Sequence, residues 1–290
     1  MTLLIAIPGC EHHAKLLADR LGLDMVVPQI RQFPDGEIYV RLDRARVPDS
    51  VAIVGNLHGD NFLRIAFLAG TARDLGAKRV GVVAPYLAYM RQDSVFNPGE
   101  GVTAKYFGRL VSQTVDWLVT VDPHLHRYDS LANVYSIPTT IARAAPSIAQ
   151  WIAAEVKDPV LVGPDAESVQ WVSAVAKHCS APYLILEKTR RGDRDVSVSA
   201  PDRSWNGHTP VVIDDIVSTG RTMVEATRML CAAGSAAPMC IAIHAVFADT
   251  VNDDLVAAGA RGIITCDTIT HASNRICVAD PIAAAVRTNI

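Results

Sequence analysis

Residues 210–223 have the sequence PVVIDDIVSTGRTM, in which an apolar, β-branched run leads into two adjacent carboxylates and a Ser/Thr/Gly turn. The run predicts a buried strand, and the amphipathic pattern that begins at Thr222 predicts a helix. Unpaired backbone N–H groups at a helix N-terminus bind anions, and Gly220 lets the backbone approach a phosphate closely. Ionised carboxylates such as Asp214 and Asp215 accept hydrogen bonds from vicinal hydroxyl groups. The stretch therefore predicts a site for a phosphorylated sugar.

An ordinary buried strand is the alternative interpretation, with an acidic end that merely caps the next helix. The turn favours phosphate binding instead, because Ser218, Thr219 and Thr222 add hydroxyl donors to the backbone N–H groups. Arg221 follows Gly220 directly. Its side chain either points outward or adds a further phosphate contact.

The composition favours an α/β protein. With 290 residues the chain is long enough for about two domains. Half of the residues are apolar and few are aromatic, which is typical of buried parallel strands covered by helices. The net charge of -3 and the absence of long like-charge runs give no reason to expect binding to nucleic acid or to an acidic membrane.

The six cysteines are scattered, and no two of them form a CxxC pair. This spacing predicts buried, reduced thiols in a cytoplasmic protein and argues against a metal cluster. The apolar run at residues 3–7 is short and lacks a preceding basic region, so it predicts a first strand and not a signal peptide. No apolar stretch reaches the ~20 residues that a spanning helix needs, so we expect a soluble protein.

Short apolar runs alternate with amphipathic segments from end to end, which predicts βα units and mainly parallel sheets. The element order repeats, so we expect two similar α/β domains, residues 1–141 and 142–290, each a mainly parallel sheet flanked by helices. A helix is predicted at residues 140–155, across the start of the second domain. Neither a GxxxxGK[ST] loop nor a GxGxxG fingerprint occurs, so any nucleotide must bind through another kind of site.

Five further stretches place polar residues next to predicted strands. They are QFPDGEIYV at 32–40, APYLAYMRQD at 84–93, VTVDPHLH at 119–126, LVGPDAES at 161–168 and LEKTRRGD at 186–193. Ligands of open α/β sheets bind at the carboxyl ends of strands, which favours a functional interpretation. Each stretch also has a plain structural one: a hairpin turn, solvated loop residues, a hydrogen-bonded histidine, a capping aspartate and a solvated basic loop.

Together, in this order, the six stretches resemble those of ribose-phosphate diphosphokinases (PRPP synthetases), and the shortened segment after Asp93 resembles archaeal-type members. The fold implied is that of type I phosphoribosyltransferases, used twice. The resemblance covers essentially the whole chain and implies transfer of diphosphate from MgATP to the 1-hydroxyl of ribose 5-phosphate, giving PRPP and AMP. The expected cofactor is Mg²⁺.

The resemblance assigns the N-terminal domain to ATP. Phe33 would stack on adenine while Asp35 and Glu37 read its amino edge, across a contact between two subunits. Arg91 and Gln92 would contact ATP, and His124 would help to hold the Mg²⁺–ATP complex. The partners implied are therefore ATP, ribose 5-phosphate and further copies of the chain, as a homodimer or a hexamer built from dimers.

The resemblance assigns the C-terminal domain to ribose 5-phosphate. Asp214 and Asp215 would hold the ribose hydroxyls, and the turn would bind the 5-phosphate through Ser218, Thr219, Gly220, Arg221 and Thr222. Asp165 would bind Mg²⁺. Lys188 and Arg190 would act as catalytic residues that close over the transferring group.

Two other functions fit parts of the same pattern. A phosphoribosyltransferase that consumes PRPP shares the loop at Asp214 but does not require the N-terminal residues. A non-catalytic regulatory homologue is favoured by Arg221 and by Glu167 and Ser168, which stand where the family has glycines. We expect Glu167 and Ser168 to make a bulkier turn that narrows the site or adds a metal ligand.

Overall fold

The first unit is built on a six-stranded parallel sheet. The computed structural model describes residues 2–59, 61–191, 195–199, 207–248 and 250–290, with the backbone alone for 187–191 and 195–199. The first eight strands are β1 (Thr2–Ala6), β2 (Asp24–Val26), β3 (Gln29–Gln32), β4 (Ile38–Arg41), β5 (Ser50–Val54), β6 (Arg79–Ala84), β7 (Trp117–Val121) and β8 (Thr139–Ala142). The sheet order is β2-β1-β5-β6-β7-β8, while β3 and β4 form a separate antiparallel hairpin.

The second unit repeats this arrangement. Its strands are β9 (Pro159–Gly163), β10 (Tyr183–Ile185), β11 (Glu187–Arg191), β12 (Asp195–Ser199), β13 (Thr209–Val217), β14 (Met239–Ala245), β15 (Gly262–Cys266) and β16 (Asn274–Ile276). The parallel sheet has the order β10-β9-β13-β14-β15-β16, and β11 and β12 form an antiparallel hairpin. Strand order and hairpin position are therefore the same in both units.

Helices connect these strands. They are α1 (Glu11–Leu21), α2 (Asn61–Asp74), α3 (Thr103–Thr114), α4 (Ala145–Glu155), α5 (Val169–Cys179), α6 (Arg221–Ala232), α7 (Thr250–Ala257) and α8 (Ala279–Arg287). All five residues of β1 and of β7 are buried, as expected for central strands of a covered parallel sheet. Gly81 of β6 leaves room for the Trp117 indole, since a Cβ there would lie 1.8 Å from the ring.

The chain divides into a unit of Met1–Arg143 with Ala279–Ile290 and a unit of Ala144–Val278. The helix that follows the last strand of each sheet packs in the other unit. Helix α4 follows β8 but packs against α5 and β16, whereas α8 follows β16 but packs against α1, β7 and β8. The predicted α/β class with two mainly parallel sheets is confirmed. The predicted boundary at 141/142 differs from this division, chiefly because α8 belongs to the first unit.

The helix predicted at residues 140–155 was wrong in its first turn and a half. Thr139–Ala142 instead forms the edge strand β8, and α4 begins at Ala145. Pro146 lies in the first turn of α4, where its missing N–H has no helical partner to lose. The β-branched residues before it favour a strand.

The cysteines differ in part from the prediction of buried thiols. Cys10, Cys240 and Cys266 are buried, whereas Cys179 and Cys231 are half-buried and Cys277 is exposed. Among the described residues, no helix combines the length and the apolar character needed to cross a membrane.

Candidate functional site

A three-residue turn links β13 to α6 in the second unit. Strand β13 ends at Val217, and α6 begins at Arg221. Gly220 caps the helix with φ +70°, a left-handed conformation that glycine adopts without strain. A Cβ at Gly220 would also lie 2.7 Å from Cγ1 of Val251. The exposed Arg221 opens α6, so the expected strand–turn–helix arrangement is present.

Asp214 and Asp215 lie near the carboxyl end of β13. The backbone N–H of Asp215 donates to Asp214 Oδ1 at 3.0 Å, and that of Ile216 donates to Asp215 Oδ1 at 2.7 Å. Burial, together with the charges of Asp215 and Asp165, raises the pKa of Asp214 to about 8. Asp214 is therefore largely protonated at neutral pH, so it can donate one hydrogen bond to a hydroxyl as well as accept others.

Asp165 lies beyond the end of the neighbouring strand β9 and caps a 3-10 turn at Ala166–Ser168. Its Oδ1 accepts from the backbone N–H groups of Glu167 and Ser168, at 3.1 and 3.3 Å. The Ser168 hydroxyl is fully buried and donates to the Asp165 carbonyl at 2.6 Å. Ser168 therefore tightens the turn from within and does not add bulk to its surface, contrary to expectation. Glu167 is exposed.

Gly163 explains how the serine fits. A Cβ on Gly163, the last residue of β9, would lie 2.3 Å from Ser168 Oγ. The space that a side chain would fill at the strand end is taken by the serine hydroxyl. The absence of the family's glycines in the turn is thus compatible with a compact turn that presents Asp165.

His244 is a residue that the sequence did not single out. It lies on β14 beside Ile216 of β13 and is 1% exposed. The Thr268 hydroxyl donates to the carbonyl of Ile243 at 2.8 Å, so its oxygen accepts the hydrogen bond from His244 Nδ1 at 2.9 Å. This chain of bonds favours the Nδ1–H tautomer of His244 and fixes its ring beside the acidic strand.

Lys188 and Arg190 lie on β11, where the sequence suggested a loop. The strand pairs with β12 so that Lys188 stands opposite Val198 and Arg190 opposite Val196. For these residues only the backbone is described. Their catalytic role stays a prediction.

In the first unit, two loops follow the neighbouring strands β6 and β7. Arg91 is exposed and Gln92 is half-buried in the first loop, and the Gln92 carbonyl accepts from the N–H of Ala104 in α3 at 3.3 Å. His124 and His126 occupy the second loop, with ring centroids 4.0 Å apart. The proposed ATP contacts other than the hairpin therefore lie at adjacent strand ends.

An ion pair between an exposed arginine and a buried aspartate joins the two loops, and the sequence did not predict it. Arg127 Nη1 donates to Asp93 Oδ1 at 2.8 Å, and the Asp93 side chain is 3% exposed. The Tyr128 hydroxyl donates to the Asp93 carbonyl at 2.9 Å. The loop that carries Arg91 is thereby attached to the loop that carries His124.

The strand end before His124 is strained. Asp122 has φ +27°, which residues with a Cβ rarely adopt, and its carboxylate accepts from Arg143 Nη1 at 2.9 Å. Such strain is typical of functional sites. Because Asp122 is buried, the ion pair helps to hold this conformation two residues before His124.

The β3–β4 hairpin carries Phe33, Asp35 and Glu37. The backbone N–H of Phe33 donates to the Glu37 carbonyl at 2.8 Å, and Asp35 Oδ1 accepts from the N–H of Glu37 at 3.1 Å. Phe33 is 39% exposed. Strand β4 packs against α2. Phe33, Asp35 and Glu37 therefore belong to a small two-stranded sheet that is separate from the six-stranded sheet.

A metal ion would have few protein ligands in either unit. Within the part of the chain that the structure describes, no three His, Cys, Asp or Glu residues are grouped closely enough to hold one. Mg²⁺ suits such a site because it keeps several waters and uses one or two carboxylates together with substrate phosphates. Burial first, and then the charges of Asp215 and Asp165, raise the pKa of Asp214, and a bound cation would offset those two charges. The residues present therefore fit Mg²⁺.

Two family models match the chain. The N-terminal domain of ribose phosphate pyrophosphokinase matches residues 2–114, and the phosphoribosyl transferase domain matches residues 130–279. Together they span both units.

Curated relatives match over nearly their whole length. The ribose-phosphate pyrophosphokinase of Methanopyrus kandleri is 33% identical over 275 residues, which cover 93% of this chain and 93% of the relative. That of Sulfolobus acidocaldarius is 31% identical, with 93% and 92% covered. The crystal structure of phosphoribosylpyrophosphate synthetase from Mycobacterium smegmatis has the same fold, with a TM-score of 0.83, 24% identity, and coverage of 99% of this chain and 98% of that one.

Proposed function

The chain belongs to the ribose-phosphate pyrophosphokinase family, and we propose that it transfers the diphosphate group of MgATP to the 1-hydroxyl of ribose 5-phosphate in the cytoplasm. One observation carries the proposal: the similarity extends over both units, including residues 2–114. A phosphoribosyltransferase that consumes PRPP needs only the phosphosugar turn of the second unit. The loops of Arg91 and His124 have no role in that alternative.

The acceptor sugar binds at the β13–α6 turn. Hydroxyl groups of the ribose bond to Asp214 and Asp215, while the 5-phosphate receives donors from Ser218 to Thr222 and from the first turn of α6. The helix dipole favours the phosphate at this end. These contacts hold the 1-hydroxyl at one position, which lowers the entropic cost of bringing it to the donor.

The donor nucleotide binds to the first unit through Arg91, Gln92 and His124. Phe33, Asp35 and Glu37 form the adenine site and serve a neighbouring copy, so the enzyme works as a homodimer or as a hexamer of dimers. In the reaction, the 1-oxygen of ribose forms a bond to the β-phosphorus of ATP, the bond from that phosphorus to the α–β bridging oxygen breaks, and AMP leaves. The hydroxyl proton is released.

Charge neutralisation is the main catalytic requirement of this transfer. Lys188 and Arg190 supply cations to the moving diphosphate and exclude water, which limits wasteful hydrolysis of ATP. His124 in the first unit and Asp165 in the second would each hold Mg²⁺ together with phosphate groups, and the bound cation would neutralise charge on the phosphate oxygens. Asp165 is suited to this role because both hydrogen bonds of its cap are accepted by Oδ1, which leaves Oδ2 for the cation.

One assay tests the proposal against its alternatives. The purified protein is incubated with MgATP and ribose 5-phosphate, and AMP and PRPP are measured. We expect both products in equal amounts, with AMP formation dependent on the sugar phosphate. Consumption of PRPP with a free base would instead indicate a phosphoribosyltransferase. Binding of ribose 5-phosphate without turnover would indicate the non-catalytic homologue.

A further inference from the structure

One face of the β3–β4 hairpin carries an arginine between two aromatic rings. Arg31 and Tyr39 are paired across the hairpin, and Phe33 is two residues further along from Arg31, so all three share a face. The Arg31 guanidinium carbon lies 4.7 Å from the Phe33 ring centroid and 4.3 Å from that of Tyr39. The two rings are perpendicular, with centroids 6.0 Å apart. The guanidinium therefore occupies the corner between them.

The hairpin contacts helix α2 of the first unit. A cleft of about 510 Å³ is lined by Gln32, Gly36, Glu37 and Ile38 of the hairpin with Leu63 and Phe67 of α2. Strand β4 of the hairpin packs against α2. Arg31 and Phe33 are exposed and Tyr39 is half-buried, so docking of the hairpin does not explain the position of Arg31 between the two rings.

We propose that Arg31 is a positioning residue for the nucleobase of the donor. This inference rests on the proposed function, in which Phe33 stacks on adenine. A planar guanidinium on one face of the Phe33 ring, with Tyr39 at its side, restricts rotation of an otherwise exposed side chain and leaves the other face for the base. A ring that is already oriented loses less conformational entropy when the base stacks on it.

The proposal predicts an effect that is confined to the base. Arg31→Ala is expected to raise the dissociation constant for ATP about fivefold, which corresponds to the cost of ordering one side chain when the base binds. Inorganic tripolyphosphate has the same phosphate chain without a base, so its dissociation constant is expected to stay unchanged. Both constants are measured by titration calorimetry without ribose 5-phosphate, so the result does not depend on turnover.

Two further variants separate stacking from charge and from folding. Arg41→Ala removes another arginine of the same hairpin, one that pairs with Asp43 at 2.8 Å, and is expected to leave ATP binding unchanged. Arg31→Lys keeps the charge but loses the planar group, so an intermediate effect is expected. Because all these positions are exposed, the unfolding temperature should stay within about 2 °C of the wild type.

Equal ATP affinity of Arg31→Ala and the wild type would overturn the inference. Equal weakening of ATP and tripolyphosphate would overturn it too, because a loss common to both ligands lies in the phosphate contacts. A wild type that binds ATP more tightly than tripolyphosphate yet forms no PRPP would refute the proposed function and leave the role of Arg31 in base binding standing.

Discussion

Asp214 couples the stability of the second unit to pH. Its pKa is raised from the ordinary aspartate value of 3.8 to about 8, first by burial and then by the charges of Asp215 and Asp165. Between about pH 4 and pH 8 the folded protein therefore holds a proton that the unfolded chain has released. The free energy of unfolding should fall as pH rises through this window, by at most about 1.4 kcal/mol per pH unit for one proton.

Replacing Asp214 by Asn should flatten this dependence, because the amide does not titrate. Urea unfolding at pH 5, 6, 7 and 8 measures it. Asp254→Asn removes an exposed carboxylate of the same unit and should keep the wild-type slope. An Asp214→Asn protein with the wild-type slope would show that another group carries the proton.

The positions of single residues were easiest to predict where they depend only on the end of one strand. Asp165, Asp214 and His124 follow buried runs that are visible in the sequence, and they lie at or just beyond carboxyl ends of strands. Partners were harder to predict. Arg127 meets Asp93 across 34 positions, and the contact depends on β6 lying beside β7, which the local pattern does not specify. The alternation of Arg31 and Phe33 was a readable signal of a shared hairpin face.

At the level of elements, the β13–α6 turn depends on Gly220. Gly220→Ala places a methyl group in a left-handed residue and against Val251, and it should lower the free energy of unfolding by about 1 to 3 kcal/mol. It should also weaken ribose 5-phosphate binding at least tenfold, because the N–H groups of the turn are displaced. Chemical denaturation and ligand titration measure the two effects.

Gly234→Ala is the matched control, just beyond the other end of α6. Gly234 has φ +83°, so the backbone strain is similar, but no atom lies within 4 Å of the added Cβ. The free energy of unfolding of Gly234→Ala should fall by about 1 kcal/mol, and its affinity for ribose 5-phosphate should stay unchanged. If both variants bound ribose 5-phosphate like the wild type, the turn would not be the phosphate site.

Most strands and helices could be predicted because buried parallel strands read as continuous apolar runs. The elements that were missed lie mainly at sheet edges or in hairpins. Residues 274–276 form the three-residue edge strand β16, and β8 was absorbed into the helix predicted at 140–155. Short edge strands make few contacts, so their sequences carry a weak pattern. The proline in the first turn of α4 was the signal that marks the true start of that helix.

At the scale of the whole molecule, α8 completes the first unit. Its buried residues include Ile282 and Val286, and Asn289 beyond it donates to Thr140 Oγ1 of β8 at 3.0 Å. Val286→Asp puts an unpaired carboxylate into this contact and should reduce the free energy of unfolding by about 3 kcal/mol or more. Amide hydrogen exchange should speed up in α1, β7 and β8 and stay unchanged in β13 and β14.

Ala284→Asp provides the comparison, because Ala284 is exposed on the same helix. It should leave exchange in both units at the wild-type rate. Faster exchange of β13 and β14 in Val286→Asp, equal to that of β7, would show that α8 supports both sheets. The predicted division at 141/142 could not have revealed that α8 packs in the first unit, because a division by sequence position assigns every residue after 142 to the second domain.

The exchange of terminal helices between the units has an evolutionary consequence. In a half-length ancestor with one such sheet, the last helix of each copy would have packed on the sheet of a second copy, as in a domain-swapped dimer. After gene duplication and fusion, the two exchanged helices would correspond to α4 and α8 of a single polypeptide. The hairpins occupy the same place in the strand order of both units, so the hairpin proposed to bind the base and the hairpin proposed to carry the catalytic cations would descend from one precursor.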